Sequence, residues 1–142
     1  MDSNTILMSV QDKLPKDLLE QQQLKERLDK LDEKGCNDFM AKIPLLGLKN
    51  PTSVFWLGSF VFGNLGVGRF MIGDKILGEV RLAITILGFI FSVLAEDSDS
   101  MVLKGLGSWC LLITLIWWVA DLFLVGKKLR KQNLNILLSN LP

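Results

Sequence analysis

Three apolar stretches between residues 51 and 126 constrain this chain more than any other feature. Ser53 to Gly68 carries no charge, meets Arg69, and continues as Phe70-Met71-Ile72-Gly73. Leu82 to Ala95 is uncharged and follows Arg81. Gly105 to Ala120 is uncharged, meets Asp121, and continues through Val125. A helix that crosses hydrocarbon needs roughly 20 apolar residues at ~1.5 Å per residue. The third stretch has that length with one charge. The first reaches it if Arg69 snorkels to a boundary, and the second if Ile76 to Arg81 are included. A chain of 142 residues cannot cover three helices that are apolar on every side with its own soluble material. The expected fold is therefore all-α: an integral membrane helical hairpin or triple of two to three transmembrane helices, with an N-terminal amphipathic helix outside the bilayer.

Charge is sorted along the chain. Residues 1–50 hold nine acidic and eight basic side chains, residues 51–126 six and four, and residues 127–142 four basic and no acidic ones. This divides the chain into a polar head at 1–50, a membrane domain at 51–126 and a basic, Leu-rich tail at 127–142. Net charge is +1, so nothing steers the whole chain toward nucleic acid. Histidine and tyrosine are both absent, which removes the commonest general base, neutral metal ligand and phenolic acid. No nucleophile–base spacing can be read, so the expectation is no enzyme, with no catalytic, cofactor-binding or metal-binding residues. Cys36 and Cys110 lie in regions of opposite character and read as free thiols. The first 25 residues lack the basic-then-apolar pattern of a signal peptide.

In the head, residues 14–34 read as one helix, with Pro15 in its first turn and Gly35 as its stop. Leu24, Leu28 and Leu31 share a face, which suits either a solvated amphipathic helix or a short coiled coil toward a protein partner. Residues 39–48 are apolar but interrupted by Lys42, Pro44 and Gly47, a pattern that suits the headgroup level of a membrane.

In the body, Ser59, Gly63 and Gly66 fall at i, i+4 and i+7. On a helix they form one small-residue face that admits another helix closely, within or between subunits. Asn64, Thr85 and Thr114 are the polar positions that would line a path if the chain assembled into a pore. Lys127, Lys128, Arg130 and Lys131 follow an apolar run directly, so they read as a cytoplasmic anchor on anionic lipid headgroups.

Gly63-Asn64-Leu65-Gly66-Val67-Gly68-Arg69-Phe70-Met71-Ile72-Gly73 resembles the glycine-rich Arg-Phe turn of the TM2 domain family. Trp117-Trp118-Val119-Ala120-Asp121-Leu122 is similar to that family's closing tryptophan-to-aspartate motif. The resemblance covers about residues 49–126. It implies two membrane helices joined through the Arg-Phe segment, with Gly68, Arg69, Phe70, Gly73, Trp117 and Asp121 in structural roles. Gly68 stands where the family usually has histidine or aspartate, and Met71 where it usually has tyrosine.

The charges favour three spans. First and last helices would then run parallel, and Arg69 and Asp121 would meet as an ion pair on one side. That side would also hold Lys75, Arg81 and the basic tail, making it cytoplasmic. Two spans are the alternative: both termini stay inside, and residues 53–95 cross once, with room for one re-entrant stretch. Either way the expected protein is a homo-oligomeric assembly or interaction module in the bacterial inner membrane. A pore, or a toxin or immunity component, is the alternative function.

Overall fold

The computed structural model describes residues 2–142, and those residues are 84% helical with no strand. The helices are α1 (Ser3–Val10), α2 (Leu18–Leu28), α3 (Glu33–Lys42), α4 (Pro51–Ser53), α5 (Val67–Met71), α6 (Lys75–Ser98) and α7 (Met101–Asn140). The chain divides into two compact units, one of residues 1–51 with 127–142 and the other of residues 52–126. α7 supplies residues to both.

The first unit has a conventional apolar core. Ile6 and Val10 of α1, Leu24 and Leu28 of α2, Cys36 and Phe39 of α3, and Leu134 and Leu137 of α7 pack together. The residues expected to form one helix over 14–34 form two elements with a turn between them. The cause is local capping. The Asp17 carboxylate accepts from Leu19 N at 3.0 Å, so α2 starts at Leu18. The Asp32 carboxylate accepts from Gly35 N at 2.8 Å, so a new helix starts at Glu33. Aspartates that satisfy orphan first-turn N–H groups favour a fresh helix start over continuation. Gly35 therefore sits inside the first turn of α3 and does not stop α2.

Two further expectations for the head are corrected. Leu24 and Leu28 are buried inside this unit, and Leu31 packs against the same core, so the stripe is not free for a coiled coil. The apolar residues of 39–48, expected at the headgroup level, are mostly taken up by the same core. Phe39 is buried, and Met40, Ile43, Leu46 and Leu48 pack on the core. Of that segment, Leu45 is the large apolar side chain left exposed.

Asn133 ties the tail to the head. Its Nδ2 donates to Lys13 O at 3.1 Å and to Lys49 O at 2.9 Å. Its Oδ1 accepts from Lys49 N at 3.2 Å. Arg27 Nη1 donates to Leu138 O at 3.2 Å. The basic, Leu-rich tail is thus a structural part of the head.

In the second unit, α6 and α7 form a tight hairpin through Asp99 and Ser100, with Asp99 at φ 47°. Lys104 pairs with the Asp99 carboxylate there. The helices approach at glycines: a Cβ on Gly88 would lie 2.9 Å from Cys110 Cβ, and one on Gly107 would lie 3.0 Å from Ser92 Oγ. At 24 and 40 residues, α6 and α7 are long and apolar enough to cross a membrane.

The first apolar stretch is not a third long helix. α4 continues as a π-helical segment, Val54–Val61, closed by Phe62 N donating to Leu57 O at 3.3 Å. A tight turn over Gly63–Leu65 follows, with Gly66 at φ 74° before α5 and Gly73 at φ 80° after it. Left-handed backbone at Gly66 and Gly73 is available at little cost to glycine alone, and it ends the helix where a span would have had to continue.

Candidate functional site

The most distinctive polar feature of the second unit is a buried cluster of two arginines and two aspartates. The turn at Gly66 starts α5, which carries Arg69. Asp74 precedes α6, Arg81 lies in its second turn, and Asp121 projects from α7. Arg69 Nε donates to Asp121 Oδ1 at 3.0 Å, and Arg69 Nη1 donates to Asp74 Oδ2 at 2.9 Å. Arg81 Nη1 donates to the other carboxylate oxygen of Asp121. Arg81 is 1% exposed and Asp121 2%. Two positive and two negative groups make the cluster neutral, the condition under which buried charge is tolerated.

Asp121 is thus the hub. Both of its oxygens are engaged by guanidinium groups, which leaves it poorly placed to act as a base. Arg81 Nε and Nη2 and the buried Ser59 Oγ have no acceptor or donor partner among the described residues. No group of three or more His, Cys, Asp or Glu side chains among those residues is arranged to hold a metal.

The Arg69–Asp121 pair expected from charge is present, but the argument that required three spans for it is corrected. That argument placed Arg69 at the far end of a full first span. Arg69 instead lies just before α6, and in the hairpin the start of α6 lies beside the middle of α7, where Asp121 is found. Two long helices therefore suffice to bring the pair together.

The small residues expected to form one helix face are placed in three different local settings. Ser59 lies in the π-helical segment, Gly63 in the turn, and Gly66 in the left-handed position after it. Each is used within the unit. Trp118 Nε1 donates to Ser59 O at 2.8 Å. A Cβ on Gly63 would stand 2.4 Å from Trp118 Cδ1, and one on Gly66 would stand 2.9 Å from Gly78 O. Gly58 and Gly68 also touch, a Cβ on the first lying 2.8 Å from the Cα of the second.

Of the remaining positions of the TM2-like motif, Gly68 is buried and Trp117 is half-buried. The Phe70 ring lies against Gly78, while no atom beyond its chain neighbours lies within 4 Å of a Cβ built on Gly73. The single Thr85 hydroxyl proton is shared between two carbonyl acceptors, Asn64 O at 2.8 Å and Arg81 O at 3.0 Å. Thr114 Oγ1 donates to Cys110 O at 2.8 Å on its own helix. Asn64 and Thr85 are thus brought together, while Thr114 is tied to α7 itself.

In the first unit, the basic cluster divides. Arg130 Nη1 donates to Asp12 O at 2.7 Å and Leu14 O at 3.0 Å, and Lys131 lies 3.7 Å from Glu20. Lys127 and Lys128 are exposed.

Sequence reasoning did not foresee Asp74, and it named Arg81 and Trp118 without assigning them the partners they have here, Asp121 and Ser59 O. Arg81 carried a readable signal: it is a lone arginine directly before fourteen uncharged residues, where a charge needs a partner. Comparisons with protein-family models, curated proteins and solved structures return no match for this chain.

Proposed function

We propose that this is a small integral membrane protein in which α6 and α7 cross the bilayer as a hairpin, acting as a non-enzymatic assembly or interaction module. One observation carries the reading: only 17% of the apolar window of each helix is buried within the chain. A core helix of a soluble protein would have most of that surface covered. Here Phe89, Ile90, Leu94, Leu112, Leu115 and Ile116 are among the large side chains left open. At ~1.5 Å per residue, the 24 residues of α6 extend about 36 Å, of which the uncharged run Leu82 to Ala95 supplies about 21 Å, and pairing of Arg81 with Asp121 lets the turn before that run enter the rest of a hydrocarbon core of about 30 Å.

The buried cluster supports a structural role. A carboxylate saturated by two guanidinium groups fixes helices in place and offers no free base. The glycine contacts hold the same elements at backbone distance. On this reading the site is a lock, in keeping with the resemblance to the TM2 domain family, and the helical first unit is the part offered to partners. Self-association through the open faces of α6 and α7 makes the working form a homo-oligomer. Lys75, Arg81 and Lys127 to Lys131 mark the cytoplasmic side under the positive-inside rule, and the acidic connection at 96–100 the other. A bacterial inner membrane is the location that fits.

Two measurements test this. After expression, the protein should stay with the membrane pellet through alkaline carbonate extraction, and release by carbonate would end the membrane reading. Crosslinking in intact membranes should give a ladder of defined length. A single monomeric band would remove the homo-oligomer while leaving the membrane reading in place.

A further inference from the structure

We infer that residues 51–71 are a lipid anchor inserted partway into one leaflet, and that residues 2–51 and 127–142 lie on one side of the membrane. The inference rests on the reading of α6 and α7 as spans.

The first argument is parity. The first unit is a single folded body made from both flanks of the membrane segment. Ile6, Leu24 and Phe39 share their core with Leu134 and Leu137. Asn133 bonds to the backbone of both Lys13 and Lys49, and Arg130 to that of Asp12 and Leu14. A bilayer cannot run through such a core. The chain that leaves it at residue 51 must be back on the same side by residue 127. The number of crossings between those residues is even, and α6 and α7 supply two. A third crossing by residues 51–71 would break the count.

The second argument is length and direction. Three residues of α-helix and eight of π-helix reach at most about 16 Å, roughly half of the hydrocarbon thickness. The chain then folds back on itself, since Gly58 and Gly68 stand at backbone contact. It arrives at Arg69, which is buried against Asp121 and Asp74.

The third argument identifies the occupant of the outward face. Trp56, Leu57, Phe60, Val61 and Phe62 are all 47–59% exposed. The rings of Phe55, Trp56 and Phe60 lie against one another, with Trp56 and Phe60 at 5.3 Å. Residues 50–68 contain no charge. An aromatic-rich, uncharged surface with tryptophan in it fits the boundary between headgroups and acyl chains. It is also continuous in sequence with the helices read as spans. The partner is therefore the lipid of the leaflet that this segment enters.

The test uses the full chain carrying Cys36→Ala and Cys110→Ala, with one cysteine added at Phe60→Cys or at Leu87→Cys. Each is labelled with an environment-sensitive fluorophore and reconstituted in phosphatidylcholine–phosphatidylglycerol vesicles. Spin-labelled lipids then quench either near the headgroups or near the bilayer centre. The ratio of shallow to deep quenching should be higher for the position-60 label than for the position-87 label, as the aromatic surface lies nearer the headgroups. Equal ratios at the two positions would overturn the placement of this surface at the headgroup boundary while leaving the spans intact. Quenching at neither would remove the membrane reading, and this inference with it. Separately, Asn4→Cys, Ser98→Cys and Ser139→Cys, all at exposed positions, are probed with an impermeant maleimide in sealed membrane vesicles. Asn4→Cys and Ser139→Cys should react from the same side, and Ser98→Cys from the other. Reaction of Asn4→Cys and Ser98→Cys from one side, with Ser139→Cys opposite, would mean three crossings and would overturn the proposal.

Discussion

Arg69 and Asp121, 52 residues apart, form a buried ion pair with Nε 3.0 Å from Oδ1, and Asp121 carries Arg81 on its other oxygen. Removing the hub should therefore cost more than removing either spoke. Asp121→Asn leaves two buried guanidinium groups facing a neutral amide. Breaking a buried pair by deleting one partner costs about 3–5 kcal/mol. The expected result is a large fall in the thermal midpoint of detergent-solubilised protein, larger than for Arg69→Gln, where Asp121 keeps Arg81. Equal effects would mean that Arg81 gains nothing from Asp121.

A charge swap makes a sharper test of the three-way arrangement. Arg69→Asp combined with Asp121→Arg would restore an isolated pair. Here it should not, because it sets a second guanidinium against Arg81. The double variant should express no better than either single one, judged by the yield of monodisperse protein. Full recovery would show that Arg81 lies apart from the pair.

Two glycines in the second unit should respond oppositely to the same change. A Cβ on Gly63 would meet Trp118 at 2.4 Å, whereas one on Gly105 meets nothing within 4 Å. Gly63→Ala should lower the unfolding temperature. Gly105→Ala, inside the regular helix α7, should raise stability by about 0.5–1 kcal/mol. The pair is read in one thermal-shift experiment.

In the first unit, Leu28→Ala should destabilise by about 2–5 kcal/mol, the range for emptying a leucine site in a packed core. Leu28 is completely buried, so the change should speed amide hydrogen exchange in α1, α2 and the last turns of α7 together. The distribution of crosslinked species should stay as in the unmodified protein, because the stripe faces its own core. A loss of oligomer with unchanged exchange would restore the coiled-coil reading.

Asn133→Ala probes the same unit from its polar side. It removes the three bonds that Asn133 makes to Lys13 O, Lys49 O and Lys49 N, at about 0.5–1.5 kcal/mol for each bond lost. Limited proteolysis should then cut sooner near residues 13 and 49.

The sequence carried the composition of the fold more openly than its joints. α6 and α7 were legible as apolar runs of the right length, and the Arg69–Asp121 pair as charges that needed partners. The break at residues 62–66 was harder to read, because Gly63 and Gly66 suit a packing face as well as a turn, and the distinction depends on backbone dihedrals. Asp17 and Asp32 are two of many charges within residues 14–34 and do not stand out, although aspartate is also a cap, and capping is what splits that segment. Leu24 and Leu28 announced a buried face without naming what would bury it. That partner, Leu134 and Leu137, lies more than a hundred positions away. Arg81 joined the site through the geometry of the hairpin, which places its turn of α6 opposite Asp121.

The joint construction of the first unit also sets an order of events during synthesis. Its core is incomplete until Leu134, Leu137 and Leu141 have emerged. Residues 52–126 are made in between, roughly 4–15 s of translation at about 5–20 residues per second. Through that interval α1, α2 and α3 have part of their apolar surface uncovered, and by its end α6 and most of α7 have already been made. The α6–α7 hairpin is therefore made before the core of the first unit can close.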